Sequence, residues 1–380
     1  MKIILTVNAA WNIWNFRRPL IDDLIGRGHK VFILAPHDES VTRLEELGCA
    51  HIPLAMSAKG LNPLEGALLF RRMRTVFRDI GPDAVLSFTI KNNLFGALAA
   101  KSLGIPFLPN VTGLGTAFLS GGLLERVAVA LYRQAFRGLP VVFFQNEDDR
   151  DLFLRRRIVR APQCRLLPGS GIDLKRFEPA PFPGEDSEPV FLMIARLLRD
   201  KGVLEYVEAA RIVKTVIPQA RFQLLGATDA ANRTAIGRDT VAAWEDEGLI
   251  EYLGATDDVR TKISAAHCVV LPSYREGAPR TLIEAAAMAR PIITTEVPGC
   301  RAVVEDGVTG FSCQVRSATS LAETCLKFLE LAATAQEQMG EAGRAKMERQ
   351  YDQRFVVEAY RNATDAILKT ASETPALATS

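Results

Sequence analysis

The stretch Val269–Ile293, VVLPSYREGAPRTLIEAAAMARPII, passes from strand to turn to helix and into a second strand. A β-branched apolar run ends at Leu271. Pro272, Ser273 and Gly277 supply turn residues. Pro279 stands where a first helical residue would, followed by good helix formers, so the spacing predicts a helix starting near Arg280. RPIITTE then reads as the next strand. A strand that hands over to a helix and returns as a strand is the repeating unit of a parallel sheet.

The same alternation runs outward in both directions. KIILTV, KVFILAP, AVLSF, PFLPNV and PVVFFQN read as strands in the first half, with helices such as 17–27 and 64–80 between them. The pattern restarts after a Pro- and acid-rich stretch, EPAPFPGEDSEP (178–189), with PVFLMIAR, ARFQLLG, IEYLG, CVVLPS, RPIITTE and GFSC. This predicts an α/β protein of two doubly wound domains, 1–168 and 190–355, joined by a linker at 169–189. Ligands in such sheets sit at the carboxyl ends of strands, so both domains are expected to turn their strand-end loops to a shared cleft. Residues 318–331 and 341–371 read as helices. The segment 356–380 is expected to be a C-terminal helix that can cross back to the first domain, ending in a disordered tail.

Composition narrows the class. The chain has 380 residues, 48% apolar and 24% charged, as in ordinary globular proteins. No apolar run reaches the ~18 to 20 residues of a membrane span, and MKIILTVNAA reads as a strand rather than a signal peptide. The six cysteines are scattered, without CxxC spacing or histidine clusters, which fits reduced thiols in the cytoplasm and argues against structural zinc. The net charge of +2 hides an asymmetry. Residues 1–180 carry 24 Lys+Arg against 16 Asp+Glu, and the remainder 22 against 28. A basic first half suits an anionic partner: nucleic acid, an anionic membrane or a phosphorylated substrate.

Two motifs of the second half carry chemistry. The helix expected at Arg280 presents unsatisfied N–H groups and the positive end of its dipole, an anion site suited to a diphosphate. Glu276 lies just before it and Glu284 one turn inside, placed to accept hydrogen bonds from sugar hydroxyls on either side of a phosphate. In FLMIARLLRDKG (191–202) a strand runs into Arg196, and Lys201-Gly202 opens the next helix. The two cations can clamp a diphosphate, arginine by bidentate contact and lysine as a point charge.

In the first half, LTVNAAWNIWNFRRPLIDDL (5–24) reads as strand, loop and helix without a glycine in the loop. Asn8, Asn12, Asn15, Trp11, Trp14, Phe16 and Arg17 stand where a nucleotide-binding protein would place a glycine-rich turn. Lys91, Asn92 and Asn93 repeat amide and cation chemistry after AVLSF. The 64–80 stretch mixes apolar residues with Arg71, Arg72, Arg74 and Arg78, and 117–138 is similar. Basic amphipathic segments of this kind lie on anionic membrane surfaces or pack as ordinary helices.

REGAPRTLIE, with seven residues between Glu276 and Glu284, resembles the EX7E motif of retaining glycosyltransferases of family 4, which have the GT-B fold. PGSGIDLKRF (168–177) is similar to the family's interdomain "NGVD…F" stretch. ARLLRDKG resembles its phosphate clamp, and VPGCRAVVEDGVTGF (297–311) its late "PG…E.V.dG.nG" stretch. Trp11-Asn12 with Asn15-Phe16-Arg17, Thr89–Gly96 and Thr112–Phe118 resemble signatures of a bacterial branch that builds capsule, O-antigen and lipid-linked glycans. The resemblance covers nearly the whole chain.

The resemblance implies a GT-B enzyme whose first domain takes the acceptor and whose second takes the nucleotide sugar. Arg196 and Lys201 would hold the donor diphosphate, Glu284 the ribose, and Glu276 the donor sugar. Gly277, Ala278, Pro279, Arg280, Thr281 and Leu282 would give donor-binding backbone. Asn8, Trp11, Asn12, Asn15, Arg17, Lys91, Asn92, Thr112, Gly113 and Gly115 would bind the acceptor. The implied reaction moves a hexose or N-acetylhexosamine, with retention, from a UDP-sugar to a polyprenyl-diphosphate-linked saccharide. It needs no metal or other cofactor and no nucleic acid; Asp257-Asp258, the nearest acidic pair, read as helix-capping residues. The enzyme would work in the cytoplasm on the inner face of the membrane. The readings to separate from it are a UDP-N-acetylglucosamine 2-epimerase of the same architecture and a non-catalytic sugar-binding scaffold. Two departures from the family pattern stand out. Arg290 replaces a common glycine and reads as a surface change, and PNVTGLG offers Asn110 and Thr112 where many members have histidine.

Overall fold

The computed structural model describes residues 1–56, 63–114, 122–184, 187–228, 232 and 234–373. The chain divides into two compact units, Met1–Ser170 with Gln353–Ser380, and Gly171–Asp352.

Unit 1 is built on a seven-stranded parallel sheet in the order β3-β2-β1-β4-β5-β6-β7. Its strands are β1 (Lys2–Thr6), β2 (Lys30–Ala35), β3 (Ala50–Pro53), β4 (Ala84–Ser87), β5 (Phe107–Val111), β6 (Val142–Phe144) and β7 (Cys164–Leu166). The central strands are buried along their length, as the continuous apolar runs require when helices cover both faces. One face carries the helices Ala10–Gly26 and Ser40–Glu46, whose Leu20, Ile21, Leu24 and Leu44 join a core with Ile3, Leu5 and Ile33. The other carries Pro63–Ile80, Ile90–Lys101, Gly122–Phe136 and Glu147–Arg155 around Met73, Phe77, Phe107, Phe136 and Phe153.

Unit 2 repeats the plan with six parallel strands in the order β10-β9-β8-β11-β12-β13. These are β8 (Val190–Ile194), β9 (Arg221–Leu225), β10 (Glu251–Tyr252), β11 (Cys268–Leu271), β12 (Ile292–Thr295) and β13 (Gly310–Cys313). In both units the strand order reverses direction at the first strand: between β1 and β4, and between β8 and β11. That switch point leaves room for a ligand above the strand ends.

Several expectations are corrected. The short edge strands β3 and β7 escape the sequence reading because they are only four and three residues long, with Pro53 in one and Arg165 in the other. The stretch 171–189 belongs to unit 2 rather than to a free linker. Ile172 and Phe177 are buried in its core, and Ile172 N–H donates to the Tyr351 carbonyl at 2.8 Å. Arg290 is not a surface residue. It is fully buried, and its guanidinium donates to the carbonyls of Ala180 (2.9 Å), Pro181 (2.6 Å) and Ser264 (2.7 Å). It thereby ties the proline-rich stretch down. Burial lowers its pKa to about 10, against the pull of Glu337, so it stays charged at neutral pH. The helix expected over 341–371 is two, Ala333–Gln350 and Gln353–Glu373. The second packs in unit 1, where Val356, Tyr360, Ala363 and Ile367 join the core. Arg361 and Arg27 pair with Asp23 and Asp365, fixing that helix against Ala10–Gly26. The tail from 374 onward lies outside the described residues.

Candidate active site

In unit 2 the switch-point strands β8 and β11 deliver both chemical motifs to one place. After β8 the chain passes Arg196, makes a 3-10 turn (Arg199–Lys201) and enters the helix Val203–Val216 through Gly202. Gly202 is left-handed (φ 77°), and a Cβ there would stand 2.1 Å from the Pro272 carbonyl oxygen. Only glycine lets the two loops approach so closely. The Tyr274 N–H (3.0 Å) and the Ser273 hydroxyl (3.2 Å) then donate to the Asp200 carbonyl.

The loop after β12 holds the other side. Glu276 N–H donates to the Pro298 carbonyl at 3.3 Å. Gly299 (φ 83°) passes where a Cβ would stand 2.5 Å from the Glu276 carbonyl oxygen. Thr295 Oγ1 donates to the Ser273 carbonyl at 2.5 Å. The Pro272–Gly277 segment is thus clamped between two neighbouring loops, and Glu276 has a fixed position.

The side chains form two cation–carboxylate pairs around the N-terminus of the helix Arg280–Ala287. Lys201 Nζ lies 2.5 Å from Glu276 Oε1, with the two side chains 22% and 12% exposed. Arg280 Nε lies 2.8 Å from Glu284 Oε1, with exposures of 26% and 13%. Burial raises the Glu284 pKa, while Arg280 beside it pulls the other way. Thr281 Oγ1 donates to the Ile194 carbonyl (3.0 Å), fastening the helix start to the end of β8. Pro279 and Leu282 are buried, so they reach a ligand only through backbone, whereas Gly277, Ala278 and Thr281 are half-buried. Arg196 is exposed, and its side chain makes no hydrogen bond or ion pair among the described residues.

The sequence reading missed the supports: Tyr274, whose hydroxyl donates to Glu205 at 2.6 Å, and the Pro298–Gly299 brace. Asp258 accepts from the backbone N–H and the guanidinium of Arg260, at the start of the helix Arg260–Ala265. Among the described residues no group of three His, Cys, Asp or Glu is placed to share a metal ion.

In unit 1 the switch-point strands are β1 and β4, and here the expected loops are shorter than the sequence suggested. The helix begins at Ala10, so Trp11, Asn12, Asn15 and Arg17 stand on it rather than in a loop. Trp11 is 54% exposed and Asn15 is exposed, while Asn8 and Asn12 are half-buried. Arg17 is only 3% exposed, its guanidinium 4.5 Å over the Phe88 ring. Trp14 packs on the core between Arg18 and Arg43.

Lys91 and Asn92 likewise open the helix Ile90–Lys101. Lys91 is mostly covered, its ammonium 3.9 Å from Glu65. Asn92 is a correction: it is fully buried and cannot face a ligand. Its amide donates to Thr6 Oγ1 (2.8 Å) and accepts from Thr89 Oγ1 (2.7 Å), tying β1 to the β4 end. Asn93 and Asn110 continue this internal network to the Tyr360 hydroxyl, to which Asn110 donates at 2.9 Å. Thr112 donates to the Phe88 carbonyl at 3.0 Å and, like Gly113, is half-buried. Gly115 lies outside the described residues.

Comparison with known proteins gives this arrangement its class. Residues 13–169 match the family described as "Glycosyl transferase 4-like domain" and residues 188–331 match "Glycosyl transferases group 1". The chain belongs to the glycosyltransferases of the GT-B fold. It is 29% identical, over 97% of its length and 100% of the relative's, to the N,N'-diacetylbacillosaminyl-diphospho-undecaprenol alpha-1,3-N-acetylgalactosaminyltransferase of Campylobacter jejuni. It is 26% identical to the UDP-Gal:alpha-D-GlcNAc-diphosphoundecaprenol alpha-1,3-galactosyltransferase of Escherichia coli, over 60% of this chain and 62% of that one. The structure of Anabaena HepE in complex with UDP-glucose superposes with a TM-score of 0.75 at 18% identity, covering 98% of this chain and 100% of the other.

Proposed function

We propose that this chain is a retaining hexosyltransferase. It moves a hexose or N-acetylhexosamine from a UDP-sugar to a saccharide carried on a polyprenyl diphosphate, in the assembly of a surface or glycoprotein glycan. The observation that carries the reading is the pairing of Glu276 with Lys201 and of Glu284 with Arg280 around one helix N-terminus. The full-length similarity to a transferase acting on an undecaprenol-linked sugar supports the acceptor class, and the UDP-galactose donor in the second relative's name supports the donor class.

In this reading unit 2 takes the donor. Arg196 and Lys201 bind the diphosphate, with the backbone of 277–282 at the helix start, and Glu284 binds the ribose. As the diphosphate arrives, Lys201 exchanges Glu276 for phosphate, and Glu276 turns to the hydroxyls of the donor sugar. The cations and the helix end stabilise the charge that builds on the leaving UDP. The acceptor hydroxyl attacks C1 from the face UDP leaves, the C1–O bond to the diphosphate breaks, and the departing phosphate takes the hydroxyl proton. No metal is needed in this scheme, because cationic side chains do the neutralising.

Unit 1 takes the acceptor through Asn8, Trp11, Asn12, Asn15, Lys91, Thr112 and Gly113. The enzyme works as a peripheral protein at the cytoplasmic face of the membrane. Among the described residues no helix is long and apolar enough to cross a bilayer. Exposed Leu64, Leu68 and Val127, next to exposed Arg71 and Arg126, support surface contact.

The test is mass spectrometry of a lipid-linked saccharide extract incubated with the protein and a panel of UDP-sugars. A mass gain of one hexose or N-acetylhexosamine with one donor is expected; isomerised donor without acceptor gain would refute the reading. Glu276→Gln is expected to abolish turnover and to leave UDP affinity within about threefold, because uniform binding and transition-state contacts separate in this way.

A further inference from the structure

Unit 1 contains a recess that the acceptor residues do not use. It has a volume of about 560 Å³ and opens between the helices Pro63–Ile80, Ile90–Lys101 and Gly122–Phe136. It is a shallow depression open to solvent along most of its extent, not an enclosed cavity. Gly66, Ala67, Phe70, Phe95 and Leu98 form its wall and Lys101 its rim. Gly66 shapes it: a Cβ there would stand 2.4 Å from the Phe95 ring, so the aromatic lies against bare backbone.

The chemistry of the recess is one-sided. Its lining is mainly apolar and, among the described residues, contains no acidic residue. Its margin is cationic. Lys101 Nζ spends one donor on the Arg137 carbonyl (3.0 Å), Arg74 donates to the rim residue Ser102 (3.1 Å), and Arg71 is exposed without an ion-pair partner. A sugar nucleotide would want converging polar groups here, and a peptide would want open backbone hydrogen-bonding groups. A hydrocarbon chain attached to a phosphate wants what the recess has.

Its position on the helix is the second argument. Lys91, Phe95 and Leu98 are spaced i, i+4 and i+7 on Ile90–Lys101 and so share one face, with Ser102 capping its C-terminal end. That face begins at Lys91, at the end of the sheet where the acceptor residues cluster, and leads into the recess. At 1.5 Å per residue, Phe95 lies about 6 Å along the axis from Lys91. A lipid diphosphate that replaced Glu65 as the partner of Lys91 would therefore have its first hydrocarbon units over Phe95 and Leu98.

We infer that this recess binds the isoprenoid segment next to the diphosphate of the lipid-linked acceptor. The inference rests on the transferase reading above. The test compares two acceptors carrying the same saccharide diphosphate, one on an undecaprenyl chain and one on a single isoprene unit. It uses the full-length protein and the variants Ala67→Trp, which fills the recess, and Phe70→Gln, which removes an apolar wall without adding bulk.

Both variants are expected to raise KM for the undecaprenyl acceptor about tenfold, as when roughly two methylenes stay in water. The kcat, the donor KM and the short-chain KM should hold, which also shows that the variants fold. Equal KM changes for both acceptors, or none, would overturn the inference. Sedimentation with anionic phospholipid vesicles lacking acceptor should not change; a loss there parallel to the KM effect would assign the recess to bilayer lipid and overturn it too. Binding of sugar-free undecaprenyl diphosphate keeps the two readings apart. If wild type turns over no acceptor yet binds this lipid and the variants do not, the recess stands and the transferase reading falls. If wild type does not bind it, the recess reading falls.

Discussion

Substituting Gly202 by alanine tests how the loops bearing Lys201 and Glu276 are held together. Two costs apply there. The residue is left-handed at φ 77°, and a left-handed alanine costs about 1–2 kcal/mol. The stiffer unfolded chain returns about 0.4–1 kcal/mol, which leaves a net cost near 1 kcal/mol. The new Cβ would also stand 2.1 Å from the Pro272 carbonyl oxygen, a backbone atom that cannot rotate away. Forced overpacking of this kind costs about 1–3 kcal/mol more. The expected total is about 2–4 kcal/mol.

Gly248 provides the control in the same unit. It is left-handed at φ 70° with nothing within 4 Å of the missing Cβ. Gly248→Ala should therefore show the conformational cost alone, about 1 kcal/mol. Urea denaturation of both variants, followed by the same probe, measures the difference. The clash moves the turn bearing Lys201 away from the loop bearing Glu276, so Gly202→Ala should also lose turnover at temperatures where it is folded, while Gly248→Ala should not. Equal destabilisation of the two variants, within about 0.5 kcal/mol, would refute the argument from close approach.

Arg290→Leu should destabilise unit 2 by about 1–3 kcal/mol, since it takes the donor away from three partly buried carbonyls. Limited proteolysis should then cut faster near Ala180. His267 Nδ1 accepts the Val190 N–H at 3.1 Å, and Nε2 faces the Ser187 hydroxyl. Burial, helped by the Arg290 charge, lowers its pKa below the usual 6.5. The contribution is therefore full above pH 6.5 and lost as pH falls through the lower folded value; melting temperatures from pH 7.5 to 5 should fall in wild type and less in His267→Asn, which keeps an acceptor. Tyr360→Phe removes the acceptor of the buried Asn110 amide and should cost about 1–3 kcal/mol in denaturation experiments.

The two sheets were legible in the sequence because most of their strands are apolar runs, whereas β3 and β7 are only four and three residues long. The turn and the helix start at Arg280 were legible because Pro279 and Gly277 fix them locally. The start of the first helix was not. Ala9 offers no cap, and the Trp11 N–H is met instead by Asp38, 27 residues away. Asn92 and Arg290 misled for a related reason. An amide after a strand serves a sugar or a core tie equally well, and a guanidinium can hold water or backbone carbonyls. Which one it holds is decided by distant segments, Thr6 in one case and Ala180 in the other.

The helix Gln353–Glu373 completes unit 1 although it is translated after all of unit 2. On a ribosome, the strands of unit 1 emerge first but wait for Tyr360 and its neighbours to fill their core. The contiguous unit 2 is complete at Asp352, immediately before that helix is made. During synthesis the basic half is therefore the unfinished one, with the place of Val356, Tyr360 and Ile367 still open. A nonsense codon just after Asp352 would spare unit 2 and cripple unit 1, whose strands are encoded at the opposite end.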